Sequence, residues 1–576
     1  MSWQKTILIG GIQGEGVAST GINLMKSLSG IGYYAYGERK FSSRIKGGNT
    51  QIVMTISDVP VQCAASDIDI LLAFDDETVQ LNRTRMAENG VMLLDESVSL
   101  THEEQPLGKH FSLPLTTLAK DHGSQLMKNT CAIGFLGKML EIDLKILEES
   151  IHQTYQKKGQ EIIQQNIQVL RAAFEAPVTD LEGFAGLPPV KDKNKSLMML
   201  MGNDAITLGA LMAGCRFVAA YPITPASDVM EMMSRMLPDE QGIMIQMEDE
   251  ISAVTICIGA SYAGVRSLTA TSGPGLTLMM EGMGLAGMTE TPLVIIDAQR
   301  AGPSTGMPTR TEQSDISSLY YAGHGEFPMI LLTPSTIEEC YHLTMEAFQL
   351  AERYQCPVVI MSDLNLSLSP QTVHALTYEP MAVDRGEVAD SEALMANPDQ
   401  PYSRYANTET GISPRSFPGM SGGAHQVTGL EHSELGRPSD KPENRVMMMD
   451  KRQRKLEPLK DQSAVNVVEN DGKLLCITFG SPWGVLTEAL READLSVDMA
   501  SISRIRPLPM RQLKQLLTGY KKIIVMEHNQ QGQLAGILRQ ELDLPDKVIS
   551  LTRYDGESFK AREVRQQLER WCEEWK

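Results

Sequence analysis

Arg300 follows the apolar run Leu293-Val294-Ile295-Ile296-Asp297, so it falls just past the C-terminal end of an expected buried parallel strand. Open α/β sheets bind ligands at that edge. The loop after it, Gly302-Pro303-Ser304-Thr305-Gly306, has glycines and hydroxyls that permit close backbone approach. A guanidinium there suits a planar carboxylate held by two parallel hydrogen bonds; the plain alternative is a structural salt bridge. Tyr221-Pro222-Ile223-Thr224-Pro225 occupies a similar position after Phe217–Ala220. Its two prolines stiffen the turn and fix the direction of the Thr224 hydroxyl, although taken alone it is simply a rigid loop. Glu250 opens a helix whose small residues Ala253, Cys257, Ala260 and Gly264 share one narrow face, open to a helix or a flat ring. Glu250 is therefore either an exposed acid compensating the helix dipole or an acid pressed against a buried heteroaromatic ring.

Such side chains need parallel sheets to hold them, and the pattern supplies several. At 576 residues the chain should contain three or four domains. Residues 1–178 read as an α/β unit: a strand at Thr6–Ile9, the glycine turn Gly10–Gly16, a helix from Val17 to Leu28, strands at 51–56, 68–74 and 90–95, and helices at 144–155 and 160–175. Proline-bearing sequence over 179–196 marks a linker. Residues 197–369 form a second unit, with short apolar strands at 217–220, 267–271, 293–297, 329–332 and 357–361 separated by helical stretches. Residues 370–470 are rich in Pro, Gly, Ser and charge and read as a long irregular excursion, partly helical, wrapping over its neighbours. Order returns over 471–576, a small α/β unit with strands at 473–479 and 521–526.

Composition narrows the function. The net charge of −20 gives no electrostatic support to nucleic-acid binding. No two of the eight cysteines stand at a Cys-x-x-Cys spacing, so the chain offers no local zinc or iron–sulfur ligand set, and scattered buried thiols are expected. The 34 methionines read as flexible core filler. No run approaches the length of a membrane span and the start lacks a signal-peptide core, so a soluble, cytoplasmic protein is expected.

With these residues in view, the segment from Tyr221 to Asp315 resembles the pyrimidine-binding domain of 2-oxoacid:ferredoxin oxidoreductases. The whole chain resembles their fused gamma–alpha subunit. Ser42-Ser43-Arg44-Ile45-Lys46-Gly47-Gly48 is similar to the gamma domain, while Glu527-His528-Asn529 and Gly532-Gln533-Leu534 resemble a transketolase-C-terminal-like domain. The resemblance implies that Thr224 and Pro225 lie beside thiamine diphosphate and substrate, with Gly273 of Thr271-Ser272-Gly273-Pro274-Gly275 at the cofactor. It also implies that Glu250, nine positions before Gly259, is the acid on the aminopyrimidine ring, in preference to Glu248. Arg300 maps onto the arginine that takes the substrate carboxylate, and Arg310 is a candidate for a second carboxylate.

Half of such a site is missing. Asn470-Asp471-Gly472 and Asp555-Gly556 are the nearest matches to a diphosphate–Mg²⁺ loop, and neither runs from a buried strand into a helix. The resemblance thus implies a beta subunit carrying Mg²⁺ and a [4Fe-4S] cluster, ferredoxin as acceptor, coenzyme A as co-substrate, and a heterodimer or dimer of heterodimers. The expected substrate is 2-oxoglutarate, with pyruvate or a branched-chain 2-oxoacid as alternatives; an indolepyruvate-type enzyme is disfavoured. A non-catalytic nucleotide- or acyl-CoA-binding scaffold is the rival from another class. The Gly14-Glu15-Gly16 turn gives it little, because Ser19 replaces the last fingerprint glycine and Glu15 would face a pyrophosphate with like charge.

Overall fold

The computed structural model describes residues 3–41, 48–99, 109–177, 186–190, 196–377, 382–396, 401–491, 493, 495–544 and 546–575. Residues 42–47 of the glycine-rich segment singled out above lie outside the described residues. Three sheets carry the chain, each flanked by helices, so the class is multidomain α/β as the sequence implies.

The first sheet has eight strands in the order Lys109–Leu113, Met86–Asp95, Ile68–Ala73, Gln4–Ile12, Asn49–Ser57, Tyr34–Lys40, Gln371–His374, Leu197–Leu200. Its first four strands are parallel and the rest pair antiparallel. Gln4–Ile12 lies in the middle of the sheet with helices against it, which is why Ile7, Leu8 and Ile9 form an unbroken apolar run. Two strands of this sheet come from beyond the linker. Leu197–Leu200, which the sequence groups with the second unit, and Gln371–His374, from the start of the excursion, pair with each other on its edge. Ser29 and Thr372 lock the seam through a 2.6 Å hydroxyl contact.

The second sheet holds the chemistry. Its order is Arg504–Arg506, Ile330–Leu332, Pro357–Asp363, Leu293–Gln299, Ser267–Thr271, Phe217–Ala220, Ile243–Gln246, parallel throughout except at the Arg504–Arg506 edge. That edge strand belongs by sequence to the C-terminal unit, so the two units are stitched together through the backbone. The third sheet, Val465–Val468, Val497–Ile502, Leu474–Thr478, Lys522–Glu527, Val548–Thr552, is parallel apart from its first strand.

The described part of the excursion is anchored by charge. Glu290, at the end of the Gly273–Met288 helix connection, is fully buried and receives Lys451 Nζ at 2.6 Å and Lys455 Nζ at 3.0 Å. Arg404 donates to the Glu290 carbonyl at 2.9 Å and to Gln355 Oε1 at 3.1 Å. Both lysines sit on or just beyond the Pro442–Arg454 helix. Farther along, Arg415 and Arg385 converge on Glu352 of the Ile337–Tyr354 helix. Burial alone would raise the Glu290 carboxyl, but Lys455, Lys451 and Arg404 outweigh it and hold it well below the ordinary carboxylate range. A single carboxylate faces three cations, and the shortfall shows at Lys451, which burial pulls down to about 8 against the attraction of Glu290. Among the described residues, no helix is long and apolar enough to cross a membrane.

Candidate functional site

The C-terminal edge of the second sheet gathers most of the residues named from sequence. Strand Ser267–Thr271 ends in Ser272, whose extended backbone starts the Gly273–Met288 helix with Pro274 in its first turn. Proline is tolerated there because that N–H has no intrahelical partner. The next residue, Gly275, is required by its neighbours: a Cβ would collide with Thr271 Oγ1 and Glu250 Oε1.

Glu250 therefore lies directly against this turn. It is only 7% exposed, whereas Glu248 and Asp249 are exposed. Asp249 caps the Glu250–Tyr262 helix, accepting from the Ser252 N–H at 2.7 Å, so the cap that satisfies the helix end is Asp249 and not Glu250. Among the described residues the Glu250 carboxylate makes no hydrogen bond. A buried acid without a protein partner, facing a glycine floor, fits a heteroaromatic nitrogen supplied from outside the chain. Gly275→Ala should push Glu250 from this position and lower turnover at least tenfold while far-UV circular dichroism stays unchanged. Wild-type turnover in that variant would show that the close approach is incidental.

Arg300, just past strand Leu293–Gln299, is 8% exposed. Its Nη1 donates to the Thr224 carbonyl at 2.7 Å, its Nη2 to the Thr305 carbonyl at 3.4 Å, and its buried Nε has no partner among the described residues. Both partners are neutral carbonyls, so the structural salt bridge offered as the alternative does not form among the described residues. Burial lowers its pKa and Asp315 pulls the other way. Pro225, beside Thr224, is pinned by Asn203 Nδ2, which donates to the Pro225 carbonyl at 2.8 Å. Gly273, Arg300, Ser304 and Asp315 line one side of a cleft of about 610 Å³, and Asn529 and Gln531 of the C-terminal unit line the other.

Arg310 is placed elsewhere. Its Nη1 pairs with Glu557 at 2.6 Å, Gly556 packs on its side chain, and it does not line the cleft. Glu557 also pairs with Lys40, so Arg310 belongs to a three-way contact with the N-terminal sheet. Asn470-Asp471-Gly472 is a turn whose Asn470 and Gly472 N–H groups donate to Asp498 Oδ1, at 2.7 and 2.8 Å. Glu15 folds back to accept from Ile12 N at 3.0 Å, filling the N-terminal glycine turn with its own carboxylate.

Sequence reasoning missed two acids. Asp297 is fully buried on strand Leu293–Gln299, and among the described residues neither of its carboxylate oxygens nor Asp315 Oδ2 is hydrogen-bonded. Burial, with Asp315 adding to it, raises Asp297 well above the usual range. Burial and Glu312 push Asp315 up to about 7 against the pull of Arg300. The available signal was an acid following directly on the apolar run Leu293–Ile296. Also missed was the buried seam in which Gln313 Nε2 donates to Asp363 Oδ2 and the Phe479 carbonyl, both at 3.0 Å, while Asn529 Nδ2 donates to the Gln313 carbonyl at 3.1 Å. That seam holds the two walls of the cleft in register.

Comparison with known proteins defines the class. The family described as "Pyruvate flavodoxin/ferredoxin oxidoreductase, thiamine diP-bdg" matches residues 208–451, and "Pyruvate ferredoxin/flavodoxin oxidoreductase" matches residues 6–176. The fold is thus that of the thiamine-diphosphate-binding oxidoreductases. Along its length the chain is 32% identical to a 2-oxoacid:ferredoxin oxidoreductase subunit alpha from Sulfolobus sp, covering 99% of this chain and 96% of that one. It is 30% identical to the 2-oxoglutarate oxidoreductase subunit KorA of Mycobacterium tuberculosis, over 97% and 90% of the two chains. Among solved structures, a 2-oxoglutarate:ferredoxin oxidoreductase from Magnetococcus marinus, with 2-oxoglutarate, coenzyme A and succinyl-CoA bound, superposes with a TM-score of 0.90 at 32% identity, over 99% of each chain. The chain belongs to the alpha-subunit family of the 2-oxoacid:ferredoxin oxidoreductases.

Proposed function

We propose that this chain binds the pyrimidine end of thiamine diphosphate and the 2-oxoacid carboxylate in a CoA-acylating 2-oxoglutarate:ferredoxin oxidoreductase, and that it turns over only with a beta subunit. The observation that carries the reading is the buried carboxylate of Glu250, without a hydrogen-bond partner among the described residues, seated on the same helix turn that lines the Arg300 cleft. When bound, thiamine diphosphate supplies the nucleophilic carbon and the electron sink. Glu250 holds a proton at the ring nitrogen, Pro225 and Gly273 shape the surrounding wall, and the Thr224 loop is fixed by Asn203 and Arg300. Arg300 orients the substrate carboxylate, and the cleft wall from the C-terminal unit excludes water.

Several assignments follow as part of this reading. The alpha unit spans 197–369, the gamma-like unit 1–178 and the C-terminal unit 471–576. Mg²⁺ and the [4Fe-4S] cluster reside on the beta subunit, ferredoxin takes the electrons, and the assembly works in the cytoplasm. The choice of 2-oxoglutarate is supported by the names of the Mycobacterium and Magnetococcus relatives. Arg310, tied to Glu557, is not given the second carboxylate.

Co-purifying the chain with a cysteine-rich beta subunit and measuring dye reduction with 2-oxoglutarate, pyruvate and a branched-chain 2-oxoacid tests the proposal. CoA-dependent reduction should appear only in the complex and be greatest with 2-oxoglutarate; activity of the lone chain would sink it. Arg300→Gln should raise KM about 100-fold, the order set by losing a charge-assisted contact of about 2–3 kcal/mol.

A further inference from the structure

We propose that Asp315 is the internal counter-ion of Arg300 and yields that role to the carboxylate of the incoming 2-oxoacid, making it a positioning residue for substrate entry. The inference rests on the reading of Arg300 as the carboxylate anchor. Arg300 is buried, lines the cleft and touches only neutral carbonyls among the described residues, so its charge needs an anion. Asp315 lines the same cleft and is pressed onto the start of the Gly273–Met288 helix, where a Cβ on Gly273 would stand 2.9 Å from Oδ1 and 3.0 Å from Oδ2. Among the described residues its Oδ2 has no hydrogen-bond partner, and neither do the two oxygens of Asp297 beneath it. Native structures rarely leave three buried carboxylate oxygens unsatisfied, and such groups cluster where a ligand completes them.

The charges that face Asp315 are few. Its own segment contributes Glu312, the Leu293–Gln299 strand contributes Asp297, and the loop beyond that strand contributes Arg300. The helix presents its uncharged N-terminal backbone, and the C-terminal unit presents the uncharged Asn529, Gln531 and Gln533. Two adjacent buried acids cannot both ionise. Asp297, raised further by burial, stays neutral, and Asp315 carries the single negative charge beside Arg300 once pH exceeds about 7. A substrate carboxylate arriving at Arg300 places a second negative charge there. Asp315 then takes a proton from solvent, and the local charge is restored.

Linkage fixes the sign. Below pH 7 Asp315 is protonated and Arg300 is free for substrate; above it the ionised Asp315 competes. In the holo complex, KM for 2-oxoglutarate should be flat below pH 7 and rise above it, approaching tenfold per pH unit, with kcat unaffected by this group. Asp315→Asn should abolish the slope and lower KM at pH 8.5, Asp315→Glu should restore the slope, and Glu312→Gln, which removes the neighbouring charge that raises Asp315, should move its midpoint to lower pH. Thermal melting of each complex checks that the variants fold; if Asp315→Asn does not assemble, the displaced midpoint in Glu312→Gln decides. A wild-type slope in Asp315→Asn, or an unmoved midpoint in Glu312→Gln, overturns the proposal. Arg300→Gln separates the two claims. An unchanged KM in that variant overturns the carboxylate-anchor reading as well, whereas a raised KM together with a surviving slope in Asp315→Asn overturns only the counter-ion.

Discussion

Glu250→Gln should cut 2-oxoacid-dependent dye reduction by the assembled complex by about 10²–10⁴-fold, the range associated with losing a positioned acid–base group. The substitution keeps the shape of the side chain and removes only its ability to exchange a proton. Because the Glu250 carboxylate has no hydrogen-bond partner among the described residues, the fold loses nothing, and the melting temperature should stay within a degree or two. Glu248→Gln is the matched control. Glu248 is exposed, two residues away and on the other side of the Asp249 cap, so its activity should be that of the wild type. Equal losses in both variants would mean a general electrostatic effect of the acidic segment. No loss in Glu250→Gln would remove the acid from the mechanism.

The largest expected effect on stability comes from Glu290→Gln. The change leaves Lys451 and Lys455, both fully buried, without their carboxylate and with Arg404 alongside. Breaking a buried ion pair by removing one partner costs about 3–5 kcal/mol, because the remaining charge stays desolvated. Replacing Glu290, Lys451 and Lys455 together by apolar residues of similar size should cost far less than Glu290→Gln alone. The sign with pH follows from the carboxyl. Glu290 lies below its unfolded value, so its contribution is complete above about pH 4.5 and is lost as pH falls below that. Urea titration of the complex measures the energy. Limited proteolysis should show cleavage within 401–461 appearing in Glu290→Gln before the rest of the chain is cut. Simultaneous cutting throughout would mean that the cluster stabilises the whole molecule and not this strap.

Several elements were legible in the sequence for a simple reason: parallel strands buried on both faces must be apolar throughout. Leu293–Ile296 and Pro357–Met361 stand out without reference to anything distant, and each lies in a strand of the structure. Glu250 was legible because the helix it opens is marked by a run of small residues, and Arg300 because it follows a strand end. Tyr34–Lys40 was not, since its charged end, Glu38-Arg39-Lys40, hides the pattern; Glu38 is buried through its contact with Ser558, 520 residues away. The 370–470 stretch lacks periodicity because several of its buried residues are cations held by partners elsewhere in the chain. Arg404, Arg415 and Lys451 look like solvated charge until Glu290 and Glu352 are placed beneath them.

The sequence by itself determined the local elements, the α/β class and the short list of chemical groups, because hydrophobic period, turn residues and helix starts are encoded within a few positions. Only the tertiary structure decided which groups meet. It sent Arg310 to Glu557, brought Asp315 to Arg300 and placed Glu250 against Gly275. Those outcomes depend on how far apart in space two segments finish, and on how much water is left between them. Burial and pairing energies are properties of the assembled neighbourhood, and no stretch of chain carries them alone.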